Sequence, residues 1–110
     1  KATIHLPEWK LRKALDHIET HLSEPFNLNI LASLCGMSRF HFSRSFHHTM
    51  GHSPSRWFIQ RRIDLAATQL RQTDMSILEI ALSVGYESSS HFSQVFRKTK
   101  GLSPRAYRKL

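Results

Sequence analysis

The chain has 110 residues, of which 40% are hydrophobic, and a formal net charge of +8. This composition fits one compact domain or two very small subdomains that share an element. No apolar run approaches the roughly 20 residues that span a bilayer, and no signal-peptide pattern precedes the first predicted helix. We therefore expect a cytoplasmic protein with no membrane partner, and the lone Cys35 excludes an internal disulfide framework.

The positive charge lies in the part of the chain after Ser38. Up to that residue four Lys or Arg balance four acids, whereas twelve basic residues face four acids beyond it. A basic excess of this kind favours a polyanionic partner, although many basic proteins bind no nucleic acid.

Apolar residues spaced three and four apart, interrupted by capping residues, predict α-helices throughout the chain. Serine, asparagine or proline precedes or opens most of them, and glycine follows several, as is typical of helix ends. No segment alternates with period two over enough residues to predict a strand. In chain order, the predicted helices are residues 8–23, 28–34, 38–50, 54–72, a fifth opened by Ser76 and Glu79 and closed by Gly85, a sixth over about 88–99, and a seventh opened by Ser103 and Pro104.

One segment of the chain occurs twice. HFSRSFHHTMGHSPSRW, residues 41–57, returns as HFSQVFRKTKGLSPRAY, residues 91–107, and nine of twenty paired positions are identical when the alignment includes the three preceding residues. Each copy follows a short helix and a turn with glycine, at Gly36 and Gly85. This order is typical of a helix-turn-helix, whose second helix can enter a major groove.

The predicted fold is therefore all-α, with seven helices that form two helix-turn-helix subdomains joined by a long linker helix. The first subdomain is predicted at residues 1–52 with its recognition helix at about 38–50, the linker helix at 53–73, and the second subdomain at 74–110 with its recognition helix at about 88–99.

Paired phenylalanines predict which face of each recognition helix is buried. At about 100° per residue, Phe42 and Phe46 share one face of the first, and Phe92 and Phe96 share one face of the second. Arg can bind guanine, Gln adenine and Ser either base, and an aromatic ring can contact a thymine methyl group. Such residues occupy the face opposite the phenylalanines in each helix. In the first helix they are Phe40, Arg44 and His47 with Ser43 on the flank, and in the second they are Ser90, Gln94 and Arg97 with Ser93 beside them. Arg39 and Lys98 lie at the edges of these faces, where phosphates are expected.

From about Pro7 to Arg108 the chain resembles the DNA-binding domain of the AraC/XylS family of bacterial transcription regulators. The segments LASLCGMSRFHFSRSF, GHSPSRWFIQRRIDLAATQL and, above all, ILEIALSVGYESSSHFSQVFRKTKGLSPRAYR carry the resemblance. It implies that the two recognition helices bind successive major-groove segments of an asymmetric promoter operator in double-stranded DNA, about 34 Å apart. It also implies an activator that contacts RNA polymerase and, in many members, a preceding effector-binding or dimerising domain.

Transferred position by position, the base-reading residues of the family fall on Phe40, Ser43 and Arg44, and on Ser89, Ser90 and Gln94. Relatives that control multidrug resistance carry long amides in place of the two adjacent serines and an arginine in place of Gln94. Weaker or water-mediated readout is therefore expected from the second recognition helix. The predicted base contacts are these six residues and His47, and the predicted phosphate contacts are Ser38, Arg39, Ser88, His91, Arg97 and Lys98.

Other residues have simpler interpretations. The eight histidines lack the spacing and companions of a metal site, so no metal or cofactor is expected. Arg61 and Arg62 can reach a phosphate or pair with an acid such as Asp64, and Trp57 and Tyr107 are expected in the core. Cys35 is expected to be a small apolar residue in a turn.

Alternative functions are also open. An enzyme is not expected, because no nucleophile stands with an activating base and no glycine-rich loop could hold a phosphate. A single-stranded nucleic-acid or RNA module is disfavoured, because the aromatic residues have core spacing rather than that of a stacking platform. A helical interaction module could instead use its basic face to bind an acidic protein or nucleic acid nonspecifically. Without a coiled-coil pattern, the isolated domain is expected to be monomeric.

Overall fold

The structure is a computed structural model that describes residues 4–110, and all the regular secondary structure in that range is α-helical. The predicted all-α fold with seven helices is confirmed for this part of the chain. The helices are α1 (Glu8–Thr20), α2 (Leu28–Leu34), α3 (Arg39–Met50), α4 (Pro54–Gln72), α5 (Ile77–Ser83), α6 (Ser89–Lys100) and α7 (Pro104–Arg108).

The chain folds into two compact units. Unit 1 contains the described residues up to His21 and Phe26–Phe58, and unit 2 contains Leu22–Pro25 and Ile59–Leu110. Helix α4 is continuous through the change from one unit to the other.

Unit 1 is built around the buried face of α3. Phe42 and Phe46 are fully buried, as the helical periodicity predicts, and their ring centroids lie 5.8 Å apart. Trp57 at the start of α4 packs edge-on against Phe46 at a centroid distance of 6.4 Å. Trp57 is half-buried rather than fully enclosed, so it lies at the edge of the core and not inside it as expected.

Unit 2 repeats this arrangement around α6. Phe92 and Phe96 are fully buried with centroids 5.7 Å apart, and the half-buried Tyr107 packs against Phe96 at 5.3 Å. Their burial follows from the same face of the helix being apolar in both copies of the repeat. The remaining buried core of this unit is Ile63, Ala66, Ala67, Leu70, Ile80, Ala81, Val84 and Tyr86.

The two helix-turn-helix turns share a hydrogen bond that closes each turn. In the first, the N–H of Met37 donates to the carbonyl of Ala32 over 2.9 Å, and in the second the N–H of Tyr86 donates to that of Ala81 over 2.9 Å. A glycine with positive φ completes each turn, because this backbone conformation costs an L side chain free energy. Both turns therefore end the first helix and direct the chain into the second by one mechanism.

The end of α1 differs from the prediction of residues 8–23. The helix ends at Thr20, whose hydroxyl donates to the carbonyls of Asp16 and His17 over 3.0 and 3.2 Å. Nδ1 of His21 also lies 2.8 Å from the carbonyl of His17. Side-chain groups thus bind the carbonyl of His17, which a longer helix would have paired with the N–H of His21.

Candidate nucleic-acid interface

Helices α3 and α6 are constructed alike from end to end. The hydroxyls of Ser38 and Ser88 accept the N–H groups of the third residues of α3 and α6, each over 3.2 Å. At the other end Gly51 and Gly101 both have φ of 83° and donate their N–H groups to carbonyls one turn back over 2.8 Å. With equal length, caps and buried faces, the two helices present the same positions on their exposed faces.

The exposed face of α3 carries the predicted base contacts of the first unit. Phe40 is 88% exposed, although an aromatic side chain of this size normally buries most of its surface. Arg44 and His47 are also exposed, and Ser43 is half-buried beside them. All four line one shallow cleft, so the structure brings together the residues that the sequence assigned to base contacts here.

The exposed face of α6 has shorter side chains. Ser90 and Gln94 are exposed, and Ser89 is half-buried in a cleft that Ser93 and Arg105 also line. A serine hydroxyl reaches less far than an amide or a guanidinium group. The exposed face of this helix therefore offers one long reading side chain, Gln94, where that of α3 offers arginine.

The predicted phosphate contacts surround these faces. Arg39, Arg97 and Lys98 are exposed, as is His91, whose ring packs edge-on against Tyr86 at 5.2 Å. Both cap serines are exposed, and an accepting hydroxyl keeps its own hydrogen for a phosphate oxygen. Exposure and capping at helix N-termini both suit anion binding.

Of the two adjacent arginines of α4, one takes part in a surface ion-pair network. Nη1 of Arg61 lies 3.3 Å from Asp64, and Nζ of Lys100 lies 2.9 Å from the other oxygen of the same carboxylate. The ion pair is therefore the alternative that the structure supports for Arg61. Since the carboxylate is partly exposed, this network contributes little to stability.

Arg62 has a role that the sequence analysis missed. It is only 9% exposed, and its Nε and Nη2 donate to the carbonyls of Leu22 and Glu24, each over 2.6 Å. Its guanidinium group also lies 5.3 Å from the centroid of the Tyr86 ring. Burial lowers the pKa of Arg62, an effect that Tyr86 partly offsets. Its burial withdraws it from DNA phosphates and makes it a structural residue.

Cys35 lies at the end of α2 and is 2% exposed, with its thiol 3.4 Å from the carbonyl of Lys10. Burial raises the pKa of the thiol, and the nearby Lys10 and Lys13 act in the opposite direction. The residue is a buried part of the turn, as its small apolar character predicts.

Residues 4–110 contain neither a metal site nor a membrane-spanning helix. No group of three His, Cys, Asp or Glu side chains there could hold a metal ion. None of the helices in this range is both long and apolar enough to cross a membrane.

Comparison with known proteins agrees with this arrangement. Residues 31–110 match the model of a family described as a helix-turn-helix domain. An uncharacterised HTH-type transcriptional regulator of Haemophilus influenzae is 40% identical over 104 residues, which are 94% of this chain and 35% of the relative. The chain thus spans about a third of the length of such curated relatives.

Solved structures give the same result. A transcriptional regulator with an AraC-type DNA-binding domain from Chromobacterium violaceum is 32% identical, with a TM-score of 0.86 over 93% of this chain and 91% of that chain. The DNA-binding domain of the global transcriptional factor AdpA, in complex with a target DNA, is 34% identical, with a TM-score of 0.83 over 91% and 90% of the two chains. The chain belongs to the AraC/XylS family of helix-turn-helix domains.

Proposed function

We propose that the chain binds double-stranded DNA sequence-specifically, as the DNA-binding domain of a bacterial transcription regulator, with α3 and α6 in successive major-groove segments. The observation that carries the proposal is that two identically capped helices each bury a phenylalanine pair and expose an opposite face of polar and basic residues. The structural likeness to the AdpA domain, which was solved with a target DNA, supports it.

In this proposal α3 supplies the stronger base readout. Arg44 binds a guanine edge through two hydrogen bonds, and the exposed ring of Phe40 contacts a thymine methyl group. Ser43 and His47 supply further hydrogen bonds from the same cleft. A basic and aromatic set of this kind favours a G·C and a T·A pair in the first half-site.

Helix α6 adds adenine readout through Gln94 and short contacts through Ser89 and Ser90. Because serine side chains are short, water molecules complete some of these contacts. Phosphates position both helices through the exposed side chains around each reading face. These phosphate contacts are Ser38, Arg39, Ser88, His91, Arg97 and Lys98.

We also propose that the protein in full activates transcription by contacting RNA polymerase and carries an effector-binding or dimerising domain. Support for the further domain comes from relatives such as the Haemophilus influenzae regulator, which is about three times as long as the matched segment, whereas the match covers 92% of SoxS from Salmonella typhimurium. The domain itself is proposed to be monomeric, and a stable dimer in light scattering without DNA would contradict this.

The test is selection of bound duplexes from a random-sequence pool, followed by titration of the enriched duplex against salt. An enriched motif with two half-sites about one helical turn apart is expected. Enrichment of a single half-site would assign specificity to one unit. No enrichment together with a steep salt dependence would leave a nonspecific polyanion binder, and no binding would favour an acidic protein partner.

A further inference from the structure

The two copies of the recognition helix differ in the chemistry of their last turns. His47 and His48 lie in the last turn of α3, and Arg97 and Lys98 lie at the equivalent positions of α6. All four side chains are exposed. The hydrogen bonds at the helix ends show that these positions are equivalent. The N–H of Gly51 donates to the carbonyl of His47, and the N–H of Gly101 donates to the carbonyl of Arg97, both over 2.8 Å. Side chains at these positions leave equivalent backbones in equivalent directions.

The charge at these positions is permanent in α6 and conditional in α3. Arginine and lysine remain charged throughout the neutral pH range, whereas an imidazole ordinarily titrates near pH 6.5. No nearby carboxylate in the sequence could pair with a cation on α3, since no Asp or Glu occurs between Glu24 and Asp64. A protonated imidazole at these positions would therefore add positive charge to the first unit that no nearby acid in the sequence offsets.

The groups that face the two histidines are cationic, titratable or uncharged. The His48 ring packs edge-on against that of His5 in the N-terminal segment, with centroids 4.4 Å apart. Both histidines line the α3 cleft, whose only permanent charge is Arg44; its uncharged lining residues are Ile4, Phe40, Ser43, Gly51 and Ser53.

No carboxylate belongs to the described lining of that cleft. Glu8, the first acid after the N-terminal segment, is paired with Arg12 over 3.4 Å. The C-terminal end of the α3 dipole favours a cation, but only by a fraction of a charge. A DNA phosphate at this surface would bring a full negative charge, which favours the charged form of an imidazole.

We propose that DNA binding by this domain takes up a proton at His48, so that the first recognition helix gains a phosphate contact, and affinity, as the pH falls. The inference rests on the proposed function. An imidazolium there would attract the polyanion through its charge as well as through any direct hydrogen bond, because such an attraction extends over a Debye length of about 8 Å at physiological ionic strength.

The test exchanges residues between the two copies of the repeat. In the variant H48K the first helix receives the lysine of the second, and in K98H the second receives the histidine of the first. Affinity for the duplex enriched in the selection is measured by fluorescence anisotropy from about pH 6 to pH 8.5, the range in which histidine titrates. Thermal unfolding midpoints at both ends of the range control for folding.

We expect the wild type to lose affinity roughly threefold or more from about pH 6 to pH 8.5, because one proton-linked charge is lost. At the lower pH its salt dependence should be steeper by about 0.9 in slope, for one additional phosphate neutralised. H48K should lose most of this pH dependence and bind at high pH about as tightly as the wild type does at low pH. K98H should show a larger pH dependence than the wild type.

The inference would be overturned by equal pH dependence in the wild type and H48K while both bind the selected duplex. It would also be overturned by a salt slope that does not change with pH in the wild type. Absence of binding to any duplex, even at the lower pH and low salt, would instead refute the proposed function itself.

Discussion

Replacing Gly85 with alanine should destabilise the protein through Arg62. Gly85 has φ of +94°, and a Cβ built there would lie 2.4 Å from Nη2 of Arg62, 2.7 Å from its Cζ and 3.0 Å from the carbonyl oxygen of Ser23. The end of an arginine side chain is usually free to move away. Here it is buried and holds two carbonyls at 2.6 Å, so moving it breaks those hydrogen bonds.

The magnitude has two parts. A left-handed backbone conformation costs an L residue about 1 to 2 kcal/mol, and losing one hydrogen bond to a charged group costs about 1.5 to 3 kcal/mol. Gly85→Ala should therefore lower the free energy of unfolding by about 2.5 to 5 kcal/mol. Gly101→Ala is the matched control, because this glycine has φ of +83° in the same unit and no atom within 4 Å of the added Cβ. Its cost should be the backbone part alone, about 1 to 2 kcal/mol.

Urea unfolding followed by far-UV circular dichroism measures both variants. Trp9 and Trp57 both belong to unit 1, so tryptophan fluorescence would not follow unit 2. Equal losses of stability in the two variants would refute the reasoning, because Arg62 would then yield to the added methyl group at no cost.

Three further results are expected. Arg44→Ala should cost about 1 to 3 kcal/mol of binding to the selected duplex and relax one base position, whereas Lys98→Ala should weaken binding to all sequences alike and lower the salt slope; equal losses from both on selected and random duplexes would contradict the assigned roles. Phe96→Ala should lower the free energy of unfolding by about 3 to 5 kcal/mol, since the ring is fully buried, and an unchanged melting temperature would show that this face is not the core. Cys35 should react with iodoacetamide near pH 8 only as fast as the protein unfolds, because burial raises the pKa of its thiol; rapid alkylation of the folded protein would exclude this.

Local signals were sufficient to predict most of the fold. Asn27, Ser38, Ser76 and Ser103 each accept a backbone N–H at the helix start that the sequence predicts. These contacts lie within one helical turn, where residue type alone decides the geometry. The buried faces of α3 and α6 follow equally from helical periodicity, which depends on nothing outside the helix.

Interactions between distant residues were not predictable in the same way. Arg62 and Leu22 are 40 positions apart, and an arginine on a predicted helix next to another arginine gives no sign that it is buried. The only available indication was that Gly85 follows a helix where its conformation is needed, and that signal does not reveal which side chain fills the space beside it. The proposed contacts with DNA depend on a partner, so the sequence indicates their chemistry through residue type and exposure alone.

The assignment of Leu22–Pro25 to unit 2 affects how the protein can be dissected. The carbonyl groups that Arg62 binds come from a segment that precedes all of α2 and α3 in the chain. A fragment that begins at Ile59 contains the arginine and lacks both carbonyl acceptors, so it loses the two hydrogen bonds and the stability that they contribute. No single cut in the chain therefore yields an intact second unit. A fusion that links residues 22–25 to residues 59–110 would be the appropriate way to isolate it.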